Sequence, residues 1–505
     1  MPSPVLPAVS PGVSADPRLV VLERLATLDG ADPTGVAEAF RGLPGLVVLD
    51  SARPGRRGRW SFLAADPLWV EEEASPGPDP FAGPRVILAR LAAGQPMVEP
   101  GEGLAPPFTG GLMGYLSYDL GRRLERMPAL AVADQPLPEL RLALHDWVVA
   151  WERRTGRAWL AGRAADRDRA RLDARLGQVR ARLARAARSA GSALDAPSER
   201  GTGREPGGVT AAGGECPPLV FVQEMGQGAW IAAVEAVRTE IARGELYQAN
   251  LARRLVAPFV DDPWPRFRAL RSGEPALFAA YLDLGPDPAS GASRAILSAS
   301  PEPFLAVSAA GVVATDPIKG TRPRGSSRAE ERAFARELIA SAKDRAENTM
   351  IVDVLRNDLG RVCRPGSVRV PRLWRLERTP AVQHLVSTVT GVLAAGRDAF
   401  DLLAAAFPGG SISGAPKIRA MELIESLEPV RRGPYTGAAL WLGRDGAMGS
   451  SILIRTFVAD GRRLTLHVGG GITWRSDPGA EWDETVAKAC GPLRAIGGVV
   501  REDTG

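Results

Sequence analysis

A chain of 505 residues exceeds what one hydrophobic core usually fills, which predicts two domains or one large layered unit. Hydrophobic and charged fractions of 45% and 24% are those of an ordinary globular protein, and no apolar run approaches the length needed to cross a bilayer. Much of the +5 net charge lies between Arg163 and Arg204, which reads as a solvated arginine-rich helix, so no nucleic-acid partner is expected.

Residues 1–16 are rich in Pro and Ser and read as a disordered tail, without the basic start and apolar run of a signal peptide. The three cysteines, Cys216, Cys363 and Cys490, lie far apart and lack C-x-x-C spacing, which argues against a disulfide framework or a zinc site and favours a cytoplasmic protein. Leu172, Leu176, Val179 and Leu183 predict a helix over 166–187. Residues 189–218 have almost no large apolar side chains and read as a flexible linker or insertion between an amino-terminal part, 17–188, and a larger part, 219–505.

Beyond the linker, Trp230, Ile231, Val234, Val237 and Ile241 mark a helix over 227–243 that Gly244 ends. Further helices are predicted at 328–342, 345–358, 400–406, 415–426 and 481–494, with Pro416 just inside one and Asp477-Pro478 just before the last. Strands are predicted at 295–298, 312–314, 436–441, 450–458 and 463–468. Their hairpin-length spacing indicates an α+β fold with antiparallel sheets.

Several features could carry chemistry, each with a plainer alternative. Lys319 stands in a Pro317-Ile318-Lys319-Gly320 turn, as either a solvated amine or a placed one. Glu481, Glu484 and Lys488 share one face of the final helix, opposite Trp482, Val486, Ala489 and Leu493; this is either a solvated face or part of a hard-cation site, to which Glu347 on a second helix would add. Gly469-Gly470-Gly471 is a tight turn or an anion nest of backbone amides. Arg455 is a sheet-surface residue or a carboxylate clamp, His384 a structural or reactive imidazole, and Ser411 and Ser413 are helix caps or site hydroxyls.

Taken in order, six strings resemble the chorismate-utilising enzymes: Tyr247-Gln248-Ala249-Asn250-Leu251, Ser300-Pro301-Glu302, Pro317-Ile318-Lys319-Gly320-Thr321-Arg322, residues 353–362, residues 410–417 and residues 469–477. That group comprises anthranilate synthase component I, aminodeoxychorismate synthase component I, and the isochorismate and salicylate synthases. Leu49-Asp50-Ser51-Ala52 and residues 107–115 extend the resemblance into the amino-terminal part. The implied fold is two intertwined subdomains of the anthranilate synthase component I type, with large antiparallel sheets flanked by helices. Isochorismate-type members carry a lysine base where this chain has Gln248, and anthranilate synthases typically carry Ala where it has Lys319 and Thr where it has Ser411. Similarity is therefore greatest to the aminodeoxychorismate synthase branch, a transferase that makes the folate-branch precursor of 4-aminobenzoate.

The resemblance implies roles by position. Lys319 would be the nucleophile, Glu302 the general acid, and His384 a catalytic neighbour of the ring. Ser411, Tyr435, Arg455, Gly469, Gly471 and Lys488 would bind chorismate, while Glu347, Glu481 and Glu484 would hold Mg²⁺. Asp50 and Ser51 belong to a possible tryptophan pocket. No cysteine here has the setting of a glutaminase nucleophile, so a separate glutamine amidotransferase subunit is expected to supply ammonia. Anthranilate synthase component I is the alternative, and a non-catalytic tryptophan-binding regulatory subunit a remote one.

Overall fold

A computed structural model describes residues 16–53, 55, 57–94, 104–194, 217–378 and 382–501. The expected tail up to residue 15, Cys216 and most of the expected linker lie outside the described residues.

Among these residues, two large and predominantly antiparallel sheets are built from both parts of the chain. A 13-stranded sheet runs from the amino-terminal strands Val20–Arg24, Ala158–Arg163, Trp147–Glu152, Trp60–Ala64 and Val47–Asp50 directly into Phe278–Pro286, Ser293–Ser300, Thr456–Asp460, Arg463–Ile472 and Gln248–Pro258. A ten-stranded sheet joins Gly111–Leu116 and Leu140–His145 to Ala438–Gly443, Met448–Ile452, Pro303–Val307, Val312–Thr315, Val382–Val392 and Ile318–Pro323. The break at the linker therefore does not divide the molecule in space.

Period-two alternation makes the layers. In Trp147–Glu152, Trp147, Val149 and Trp151 enter an outer core with Leu172, Leu176, Phe267 and Leu493, while Val148 and Ala150 face inward. The inward layer joins the sheets, because Phe62, Ala280 and Ile296 of the first meet Met113, Tyr115 and Ala439 of the second. The second sheet covers its other face with the helices Ala342–Gly360 and Ala399–Ala406 through Ile351, Leu355, Phe400 and Leu403. Strands buried on both faces read as unbroken apolar runs, which is why their register was not visible from polarity alone.

Several expected elements are corrected. The run 450–458 is two strands, Met448–Ile452 in the second sheet and Thr456–Asp460 in the first, separated at Arg455, whose φ of 50° breaks strand geometry. Pro416 caps the helix Lys417–Leu427 from outside. In the final helix, Pro478–Ala495, Thr485 is buried and accepts from Arg253 Nε at 2.8 Å, whereas Val486 is exposed. The arginine-rich helix runs from Arg169 to Leu194 and is largely solvated as expected, with Arg171, Arg180 and Arg188 exposed; Arg175 pairs with Asp66 and Asp146, and Arg180 with Glu23. Arg163 itself is buried on Thr109 and the carbonyls of Ala92 and Gly94, so it is no part of a solvated basic face. No described helix is long and apolar enough to cross a membrane.

Candidate active site

The site begins where the chain crosses between sheets. Glu302 lies between Ser293–Ser300 of the first sheet and Pro303–Val307 of the second, and Arg455 lies in the reverse crossing. The two crossings are bonded to each other: Ile452 N donates to Glu302 O at 3.1 Å and Ala299 N to Arg455 O at 3.0 Å. Residues 150 positions apart thus share one end of the sandwich.

Lys319 lies on the strand Ile318–Pro323 and not in a turn, as the Pro and Gly around it had suggested. Pairing with Val382–Val392 slips by one residue between Lys319 and Thr321, which leaves Gly320 as a bulge at φ 76°. A side chain at Gly320 would also strike Asp344 and Leu338 at 2.9 Å, so both backbone and packing require glycine. Bulges re-aim neighbouring side chains, and here Lys319 is turned toward Ser411, whose carbonyl accepts from Lys319 Nζ at 3.3 Å.

Ser411, in the short helix Gly410–Ser413, connects the reactive groups. Its side chain lies beside the Glu302 carboxyl and favours the ionised form. Burial raises the Glu302 carboxyl above its ordinary range, against the opposing pull of Lys319, Ser411 and Lys488. Burial also lowers the Lys319 amine, opposed by Glu302 and Glu347. An acid biased toward its protonated form and an amine biased toward its neutral form therefore share one site.

Three carboxylates approach from two helices. Burial raises Glu347 and Glu481, and the charge of Glu484 adds to both shifts. Glu481 accepts from Ser476 Oγ at 2.6 Å, Glu484 pairs with Lys488 at 2.7 Å, and Glu347 faces Lys343 at 3.8 Å. Among the described residues no three acidic or other ligating groups form a ready-made metal cluster. The donors nonetheless suit a cation that takes one or two protein carboxylates and completes its shell with substrate and water, as Mg²⁺ does. A cradle is present: a methyl group added at Gly470 would stand 3.3 Å from Glu481 Oε2 and 3.7 Å from both Glu484 Oε1 and Lys488 Nζ.

The glycines 469–471 belong to the strand Arg463–Ile472 and do not make a turn. Ala252, opposite Gly469, gives its N–H to Glu428 Oε1 at 2.9 Å, and Gly469 O accepts from Lys488 Nζ at 2.7 Å. Gly469 therefore turns its peptide groups away from the neighbouring strand, and Gly471, two residues on, turns the same way.

Other expected residues have mixed settings. His384, on Val382–Val392, lies 3.0 Å from Thr321 Oγ1 through Nδ1, and burial lowers its imidazole to about 4, so it is neutral near pH 7. Tyr435 is buried, stacks on His467 at 4.9 Å, and has its phenol raised by burial to about 12. The Arg455 side chain is half exposed and meets Glu274 at 3.8 Å. Asp50 and Ser51 line a separate cavity of about 350 Å³ with Arg57, Trp60, Phe278 and Asp316. Both side chains are already engaged: Asp50 by Arg271 and Ser61, each at 2.6 Å, and Ser51 by the Trp60 carbonyl at 2.9 Å.

Two further groups hold the site together. Asn250 donates through Nδ2 to Ser411 O at 2.7 Å and accepts through Oδ1 from Gln248 Nε2 at 3.1 Å, a role that the Tyr-Gln-Ala-Asn-Leu string does not reveal. Arg432, bidentate with Glu428, also donates to Asn250 O and Ile412 O, clamping the strand to the Ser411 turn. The i, i+4 spacing of Glu428 and Arg432 was the available signal, but it does not distinguish an exposed pair from a buried one.

The chain is similar to known proteins over most of its length. It is 40% identical to anthranilate synthase component 1 of Streptomyces coelicolor over 451 residues, covering 88% of this chain and 81% of that one. Identity is also 40% to aminodeoxychorismate synthase component 1 of Klebsiella aerogenes, over 385 residues and 76% of each chain. The crystal structure of anthranilate synthase component I from Streptococcus pneumoniae superposes with a TM-score of 0.70 at 27% identity, covering 94% of this chain and 99% of that one. With the chorismate binding enzyme profile matching residues 87–494, the chain belongs to the chorismate binding enzyme family and is an enzyme that acts on chorismate.

Proposed function

We propose that the chain converts chorismate and ammonia to 4-amino-4-deoxychorismate. The observation that carries this is the Lys319 amine, biased toward neutrality, sharing Ser411 with a carboxyl biased toward protonation. Glu302 donates a proton to the departing hydroxyl of chorismate, which leaves as water. Lys319 attacks the ring carbon beside the carboxylate-bearing one and forms a C–N bond as that hydroxyl departs. Ammonia then attacks the carbon that lost the hydroxyl and expels Lys319, so the new amine ends para to the carboxylate carbon.

Arg455, Tyr435 and the amides of Gly469 and Gly471 hold the enolpyruvyl carboxylate, with Lys488 beside them. His384, neutral near pH 7, contacts the ring side and carries no assigned proton transfer. Glu347, Glu481 and Glu484 would hold Mg²⁺, which when bound acts as a Lewis acid on the ring carboxylate. Ammonia comes from a separate glutamine amidotransferase subunit, with free ammonium at high pH as a substitute. The Asp50–Ser51 cavity is proposed to take tryptophan.

A second reading, anthranilate synthesis, is favoured by the wider coverage of the Streptomyces relative. Product identification separates the two. The chain is incubated with chorismate, Mg²⁺ and ammonium at alkaline pH, with and without a lyase that converts aminodeoxychorismate to 4-aminobenzoate. Lyase-dependent 4-aminobenzoate, lost in Lys319→Ala, is the expected result; lyase-independent anthranilate would reject the proposal.

A further inference from the structure

We propose that Asn250 is a positioning residue for the Lys319 amine, acting through the Ser411 carbonyl that both side chains share; this rests on the nucleophilic role of Lys319 proposed above. Two donors converge on that oxygen, Asn250 Nδ2 at 2.7 Å and Lys319 Nζ at 3.3 Å. A carbonyl has two acceptor sites. Asn250 occupies one and leaves the other to the amine, which can give up one N–H there and keep its lone pair for the substrate.

The asparagine cannot turn over freely. Gln248, buried beside it, donates to Asn250 Oδ1 at 3.1 Å, so the Nδ2 end is directed at Ser411. A methyl group at Gly471 would stand 2.6 Å from Gln248 Nε2 and 2.8 Å from Asn250 Oδ1, so the glycine leaves room for this amide pair. Below them, Arg432 donates to Asn250 O at 2.6 Å and to Ile412 O at 3.1 Å, which holds the strand and the Ser411 turn at one spacing. The Ser411 side chain lies beside Glu302, so an oriented Ser411 places nucleophile and acid together. A flexible four-carbon amine gains most from such an external stop, because small misplacements of reacting atoms cost large factors in rate.

A double-mutant cycle tests this, using ammonium-dependent chorismate turnover by the full chain with Mg²⁺ present. Asn250→Ala is expected to lower kcat about tenfold or more, with KM for chorismate within about twofold and the melting temperature near that of the parent. In a Lys319→Ala background the same substitution should change the residual rate by less than about twofold. Equal losses in both backgrounds would overturn the proposal, since Asn250 would then act independently of Lys319. An unchanged rate and product in Lys319→Ala alone would instead reject the proposed function. Where residual turnover is too slow to read, trace acylation with acetic anhydride reports the amine directly by mass spectrometry. Asn250→Ala should alter labelling at Lys319 and leave Lys343 unchanged; unaltered labelling at Lys319 would equally overturn the proposal.

Discussion

The pairs Arg432–Glu428, buried, and Lys319–Glu302, half-buried, each place a basic and an acidic side chain near the same turn, and the two bases shift in opposite directions. Arg432 is bidentate with Glu428, donates to two backbone carbonyls, and lies 4.7 Å from the Tyr118 ring centroid. Its charge is fully answered, so the pair is structural. Lys319 has no ion-pair partner at contact distance among the described residues; it gives one long bond to a carbonyl, and burial moves both it and Glu302 toward their uncharged forms. Complete pairing makes a buried charge a clamp, whereas incomplete pairing leaves it available for proton transfer and attack.

The largest expected effect breaks the clamp. Arg432→Met leaves Glu428 buried and unpaired and should cost about 3–5 kcal/mol of stability, read from denaturant unfolding. Adding Glu428→Leu should recover part of that loss, because both charges then go together; recovery of none would mean that the backbone bonds, and not the ion pair, carry the contribution.

The next prediction breaks the reactive pair without breaking the fold. Glu302→Gln removes the acid and should lower turnover by roughly 10²–10⁴, while the unfolding midpoint stays near that of the parent. With free ammonia held constant, the alkaline fall in rate caused by loss of the Glu302 proton should also disappear. Retention of that fall would place the acid elsewhere.

A third way to handle burial is to carry no charge at all, and it gives the smallest effect. All three histidines have folded values below the ordinary one: His145 about 3, His384 about 4 and His467 well below, each chiefly through burial. Below roughly pH 6.5 the unfolded chain binds protons that the folded chain refuses, so this stability is present above 6.5 and is lost as pH falls toward 4. Each histidine contributes at most about 1.4 kcal/mol per pH unit in that window. The raised carboxyls Glu302, Glu347 and Glu481 oppose the trend, because the folded state holds their protons longer. His145→Leu should therefore flatten the dependence of unfolding free energy on pH by about one proton between pH 6 and 4. An unchanged slope would show that His145 is protonated in the fold.

Some of this was legible in one dimension. The helix 227–243 and the final helix were visible because an apolar stripe repeats within one element, and Asp477 caps the latter by accepting from Ala480 N at 2.9 Å. The grouping of Glu481, Glu484 and Lys488 followed from helical spacing alone. The break at Arg455 did not, because Ile454, Arg455 and Thr456 carry no turn signal and the left-handed φ is imposed by the passage between sheets. Lys319 was read as a turn residue for the reverse reason: its proline and glycine punctuate a bulged strand.

The chemical inventory and the family are legible in the amino-acid order, because the succession of residue types in short strings is a one-dimensional property. The same order also determined the α+β class, since period and spacing are local. It took the folded chain to show that blocks of strands from the two sides of the linker join edge to edge in both sheets, that two crossings bring Glu302 and Arg455 together, and that Asn250 and Lys319 meet on one carbonyl. Those pairings join residues up to hundreds of positions apart, and their geometry depends on sheet register and on a bulge at a single glycine. Local propensity carries no record of either.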